Sequence, residues 1–100
     1  MNLREEQKAI YENKVKKGFN TTDINKEFCL LYGEVAEAYD AWRKKKGDVG
    51  EELADVAICL MGLSEMLGID LTTEIENKMK INQDREYKNV DGIMKRISDR

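Results

Sequence analysis

Apolar residues recur every three or four positions along most of this chain, the period of helices with one buried side. From Leu3 to about Lys17 the apolar positions are Leu3, Ile10, Tyr11 and Val15, and Gly18 ends the segment. A longer segment opens at a cap supplied by Thr22 or Asp23 and runs to about Lys45, with Phe28, Leu31, Val35, Ala38, Tyr39 and Trp42 as its stripe. Arg43 to Lys46 close it with positive charge, which suits the negative pole of a helix. Asp48-x-x-Glu51 has the form of a capping box and opens a third helix carrying Leu53, Val56, Ala57, Leu60, Leu63 and Leu67, stopped by Gly68. Asp70 caps a fourth, with Leu71, Ile75, Met79 and Ile81, reaching about Tyr87. Asn89 to Gly92 break it, and Ile93, Met94 and Ile97 fit a short terminal helix. The pattern predicts an all-α, four-helix bundle-like fold with a short C-terminal helix, in a single domain over residues 1–100.

Composition sharpens this picture in three ways. No proline among 100 residues, with abundant Glu, Lys, Leu, Ala and Met, favours long helices. No histidine excludes His-based nucleophilic triads, zincin motifs and Glu-x-x-His di-iron bundles. A net charge of −3 with interleaved signs shows no basic face, which argues against a nucleic-acid polymer as partner. A chain this short has a modest core, so self-association is expected to supplement it. The N-terminus lacks a signal-peptide core, and the longest apolar run, Val56 to Leu63, is too short for a bilayer. Cys29 and Cys59 have neither disulfide nor zinc spacing, and they read as reduced, partly buried thiols of a cytoplasmic protein.

The chemistry sits in two acid pairs, Glu34-x-x-Glu37 and Glu52-x-x-Asp55, one on each side of the basic loop. Residues three apart share a helix face. In an antiparallel hairpin centred near Lys46, Glu37 and Asp55 fall level, and Glu34 and Glu52 nearly so, so the four carboxylates can reach one small volume. A solvated Glu often has a Lys or Arg four residues on, but here those positions hold Ala38, Ala41, Val56 and Cys59. Clustered carboxylates repel and raise one another's pKa, and a hard divalent cation removes that penalty. An all-oxygen set selects Mg²⁺, with Mn²⁺ as the substitute, and Mg²⁺ commonly bridges to phosphates.

Lys78, Asn82 and Arg85 form one polar stripe on the fourth helix, ending in a guanidinium suited to phosphate oxygens. Phe19, in a loop beside Gly18, is the candidate for a nucleobase contact, whereas Phe28, Tyr32, Tyr39 and Trp42 read as core. Gly33 and Gly62 sit against helix propensity and nearly level across the hairpin, where they would allow close helix approach or leave space for a ligand.

The stretches Tyr32-Gly33-Glu34-Val35-Ala36-Glu37-Ala38 and Gly50-Glu51-Glu52-Leu53-Ala54-Asp55-Val56 resemble the MazG-type all-α nucleoside triphosphate pyrophosphohydrolases, as do Gly18-Phe19, Gly68-Ile69-Asp70-Leu71 and Lys78-x-x-x-Asn82-x-x-Arg85. The resemblance covers roughly residues 18 to 88 and implies a dimer or tetramer with sites completed at subunit contacts. It implies Mg²⁺-dependent cleavage between the α- and β-phosphates, releasing a nucleoside monophosphate and pyrophosphate. By it, Glu34, Glu37, Glu52 and Asp55 hold the metal, Lys78 and Arg85 contact phosphates, and Asn82 makes a polar contact nearby. Glu34 or Glu37 is the candidate to activate the attacking water. The related phosphoribosyl-ATP pyrophosphohydrolases carry Tyr-His where this chain has Ile58-Cys59. The alternative is a non-catalytic helical interaction protein, or a nucleotide-binding protein with a vestigial acidic site.

Overall fold

The computed structural model describes residues 2–45 and 47–97; Lys46, placed by the sequence at the hairpin centre, lies outside them. Four helices follow one another, α1 (Arg4–Lys17), α2 (Ile24–Arg43), α3 (Val49–Met66) and α4 (Leu71–Asp84), and then a β-hairpin of β1 (Tyr87–Val90) and β2 (Ile93–Arg96). Three Asp side chains start helices: Asp23 accepts from the Lys26 N–H, Asp48 from Gly50, and Asp70 from Thr72 and Thr73. Asp23, rather than Thr22, is thus the cap of α2.

Two helices end in the same way. Gly18 takes a left-handed φ of 75°, and the Phe19 N–H returns to the Lys14 carbonyl at 2.8 Å. Gly68, at φ 70°, does the same for α3, with the Ile69 N–H on the Ser64 carbonyl at 2.9 Å.

The helical body is α2 against α3, with α1 laid on α3. Its inner seam shares Leu31 and Ala38 on α2, and Val56 and Leu63 on α3, with the stripes expected from the apolar spacing, but the rest of each stripe differs. On α2, Glu27, Leu31, Glu34, Ala38 and Ala41 turn inward at alternating four- and three-residue spacing. The larger Phe28, Val35, Tyr39 and Trp42 stay exposed, Trp42 at 65%. On α3 the matching seam is Glu52, Val56, Cys59, Leu63 and Met66, while Leu53, Leu60 and Leu67 are exposed. The small Ala38 and Ala41, both buried, let the helices close, and the bulky aromatics are left on the outside.

The glycine pairing also differs from expectation. A Cβ on Gly33 would meet nothing within 4 Å, whereas one on Gly62 would meet Lys14 Cδ at 3.3 Å and Ile10 Cγ2 at 3.4 Å. Gly62 therefore makes room for α1, not for α2. Over it passes the Lys14 stem, whose ammonium reaches Glu27 at 2.9 Å. Glu27 is 1% exposed and also accepts from Asn20 Nδ2 at 3.1 Å. Gln7, at 0%, ties the other end together: its side chain donates to the Ile69 carbonyl at 2.8 Å and accepts from the Leu71 N–H at 2.8 Å. That bond and the one from the Leu3 N–H to Thr72 Oγ1 fix the start of α4, which leaves α3 at 105°.

The terminal helix expected from Ile93, Met94 and Ile97 does not form; these residues belong to the hairpin segment instead. Asp91 and Gly92 take φ of 53° and 81° between Val90 and Ile93, the two positive angles of a tight hairpin turn. The Gly92 N–H is held by Asn89 Oδ1 at 2.9 Å. The Asp-Gly pair flanked by Val and Ile outweighs a three-residue apolar spacing too short to nucleate a helix. Correspondingly α4 stops at Asp84 rather than Tyr87. No single helix among the described residues is long and apolar enough to cross a membrane.

Candidate metal and nucleotide site

The inner seam places carboxylates where a bundle normally places Leu or Ala. Carboxylate oxygens of Glu34 and Glu37 on α2 and Glu52 on α3 lie within 4.8 Å of one another. Asp55, one turn beyond Glu52, lies outside that tight group, but its charge acts on Glu34 and it lines the same cavity. Glu34 Oε2 and Glu52 Oε2 are buried and have no hydrogen-bond partner. Orphaned anionic oxygens are costly to desolvate. Among the described residues this trio is a carboxylate-only group spaced to hold a metal, and its hard oxygen donors fit Mg²⁺ or Mn²⁺ rather than zinc.

Electrostatics agree with the geometry. The Glu34 carboxyl is raised above its usual 4.5, first by burial, then by the charges of Glu37, Asp55 and Glu52, and by a hydrogen bond with Glu37. Glu27, seven residues earlier on the same seam, has a different solution, with Lys14 as its cation. Beside it the Cys59 thiol, with Sγ 4.0 Å from Glu27 Oε2, is pushed upward by burial and then by Glu27, so it stays protonated. Cys29 and Cys59 are both free thiols; Cys59 is half-buried as expected, whereas Cys29 is exposed.

A cavity of about 760 Å³ opens between α1, α2 and α3, lined by Glu34 and Asp55 and also by Phe19. The structure thus brings Phe19 to one space with Glu34 and Asp55, whereas Glu37 and Glu52 do not line it. Lys78, Asn82 and Arg85 do not line it. Arg85 Nη1 donates to Asn82 Oδ1 at 3.1 Å, and Arg85 Nε is buried without a partner. Lys78 and Asn82 ride on α4, but Arg85, expected on the same helical stripe, is the extended residue that ends it; α4 has no extended packing against the other three helices.

Lys14, Glu27 and Asn20 were not visible as site residues in the apolar pattern. One signal was available: Glu27, Glu34 and Ala41 repeat at seven-residue spacing, so Glu27 shares the inward position of the first acid.

A helical hairpin with paired carboxylates facing an interhelical cavity defines a class of all-α protein. The chain belongs to the MazG-like family, which matches over residues 24–99. It is also similar to the dATP/dGTP diphosphohydrolase of Salmonella phage PMBT28, at 42% identity over 82 residues, covering 81% of this chain and 27% of that protein. The chain therefore spans about a quarter of the length of this curated relative. No solved structure matches the chain.

The two acidic positions predict opposite responses. Lys14→Met leaves Glu27 buried beside no cation and is expected to lower stability by about 3–5 kcal/mol. Glu34→Gln is expected to stabilise the metal-free protein. A carboxyl with a raised pKa favours the folded state below the free value of 4.5 and loses that contribution as pH rises through its folded value. The advantage of Glu34→Gln over wild type should therefore grow between about pH 4.5 and pH 7, read by urea unfolding in a chelator. Parallel stability curves for the two proteins would remove the electrostatic account of this site.

Proposed function

We propose that this chain hydrolyses nucleoside triphosphates to the monophosphate and pyrophosphate, with Mg²⁺ held by Glu34, Glu37, Glu52 and Asp55. The observation that carries the reading is the convergence of three carboxylates within 4.8 Å, two of their buried oxygens unpartnered, beside a cavity of nucleotide size. Membership of the MazG-like family supports the same chemistry, and the name of the phage relative points to dATP and dGTP as substrates to try first. When bound, the metal supplies Lewis acidity toward phosphoryl oxygens and lowers the pKa of a coordinated water.

The chain's own residues supply the rest. Glu37, at the exposed edge of the trio, or Glu34 behind it, takes the proton of the attacking water and orients it for in-line displacement. Lys78 and Arg85 offset charge on the pyrophosphate leaving group, and Asn82 holds the Arg85 guanidinium. Because α4 stands off the body that holds the acids, we assign these cations to the triphosphate of a second copy.

That assignment needs an assembly, and the exposed stripe supports one. Val35, Tyr39, Trp42, Leu53 and Leu60 are all exposed on the α2–α3 hairpin, and contiguous apolar surface of that kind marks an interaction face. A homodimer or homotetramer covers it. Free thiols and the absence of a bilayer-length apolar helix among the described residues fit a cytoplasmic setting.

Pyrophosphate release should require Mg²⁺ or Mn²⁺, and Glu37→Gln and Asp55→Asn should each reduce it by roughly a hundredfold or more with the helical content unchanged. Triphosphate binding without release in the wild-type protein would establish the nucleotide-binding alternative instead. In sedimentation experiments the wild-type chain should travel as a dimer or tetramer, and Trp42→Asp should dissociate it and abolish turnover. A monomeric, fully active wild-type chain would refute the shared-site assignment.

A further inference from the structure

Helix α4 carries Lys78 and Asn82 away from the body, and it has no extended packing along its length to hold its direction. Its first turn is held instead, and the hold comes from α1. The first N–H groups of a helix have no partner within it. In α4 the Asp70 carboxylate accepts from Thr72 and Thr73, and the Leu71 N–H goes to Gln7 Oε1 at 2.8 Å. The other end of the same amide donates to the Ile69 carbonyl at 2.8 Å and to Glu65 Oε1 at 3.3 Å. One side chain thus spans the corner between α3 and α4. Arg4 adds an ion pair to Glu65 at 3.7 Å, and the Leu3 N–H is bonded to Thr72 Oγ1. Gln7 is fully buried, and a buried amide is stable only with its groups bonded, as both ends are here.

Small changes at that corner are magnified along α4. Asn82 lies eleven residues beyond Leu71, about 16 Å along the axis at ~1.5 Å per residue. A tilt of about 10° at Leu71 moves Asn82 by about 3 Å, and a misplacement of roughly 1 Å is enough to slow a reaction about a hundredfold. Gln7 also precedes residues 24–99, the segment that matches the MazG-like family, so the hold is supplied from outside that segment.

We propose that Gln7 is a positioning residue: by clamping the α3–α4 corner it sets the direction in which α4 presents Lys78 and Asn82. Its effect on turnover rests on the reading of Lys78 as a group acting on the triphosphate, whereas the direction of α4 is measurable without nucleotide.

The test compares amide residual dipolar couplings of the full chain in wild type and Gln7→Leu, which keeps a side chain of similar size and removes all three bonds. In the wild type, α4 couplings should fit the alignment defined by α2 and α3. In Gln7→Leu they should shrink or depart from it, while α2 and α3 still agree with each other. Thr72→Val removes the tie to Leu3 and should act in the same direction, and it serves where Gln7→Leu does not fold. Unchanged α4 couplings in the folded variants would overturn the clamp. Turnover then separates positioning from general stability. Gln7→Leu and Lys78→Ala should each lower kcat for dATP about a hundredfold with Mn²⁺ affinity unchanged, and the double variant should be no slower than Lys78→Ala alone. Losses that multiply in the double variant would also overturn the proposal, because Gln7 would then act by a route other than α4. No pyrophosphate release from the wild type, with α4 couplings altered in Gln7→Leu, would sink the hydrolase reading and leave the clamp standing.

Discussion

The structure depends on carboxylates occupying seam positions between two antiparallel helices. Burying an anion between α2 and α3 is tolerable only where something restores the interactions lost with water. At Glu27 the chain provides that itself, with the Lys14 ammonium at 2.9 Å and the Asn20 amide at 3.1 Å. At Glu34 and Glu52 it provides nothing comparable, and one oxygen of each is buried without a partner. One half of the seam is internally neutralised and serves folding. The other half keeps an electrostatic deficit, and a deficit of that kind is what a cation-dependent site needs in order to bind its ion.

The arrangement has structural consequences on both sides. Lys14 reaches Glu27 only because Gly62 lets α1 lie close on α3, so the stable half of the seam is set by a third helix. The same contact frames the cavity beside the acids and fixes the loop carrying Phe19. On the outer side, using Ala38 and Ala41 to close the seam leaves Tyr39 and Trp42 in tilted contact on the surface at a centroid distance of 6.2 Å, with Arg43 over the Tyr39 ring. The apolar residues that would fill the core of a larger monomer are thus on the outer side of the hairpin, where a second copy can cover them.

Much of this was legible in the sequence because helix period, capping Asp residues and stopping Gly residues all agree locally. Asp23, Asp48 and Asp70 each begin a helix, and Gly18 and Gly68 each end one. Glu34, Glu37 and Glu52 could be brought together from spacing alone, because the hairpin geometry follows from a short loop, but Asp55, which the numbering sets level with Glu37, lies outside that group. What failed was part of the choice of face. The apolar spacing placed Leu31 and Ala38 correctly but joined to them Phe28, Val35, Tyr39 and Trp42, whereas close helix packing turns Ala41 and the acids inward and leaves those larger residues exposed. The hairpin was missed because Asn89 to Gly92 were read only as a break, although Asp91-Gly92 between Val90 and Ile93 is a turn with its own strand register. Gln7 and Lys14 were invisible for another reason: their burial depends on contacts some sixty and thirteen positions away, which no local period encodes.

The most direct test of the central claim is paramagnetic relaxation in a Mn²⁺ titration of the isotopically labelled protein. A cation drawn to the unneutralised half of the seam should broaden the amides around Glu34, Glu37, Glu52 and Asp55 first and most steeply, saturate, and fall off with distance from those residues. Broadening spread evenly over the surface acids, without saturation at those residues, would contradict it.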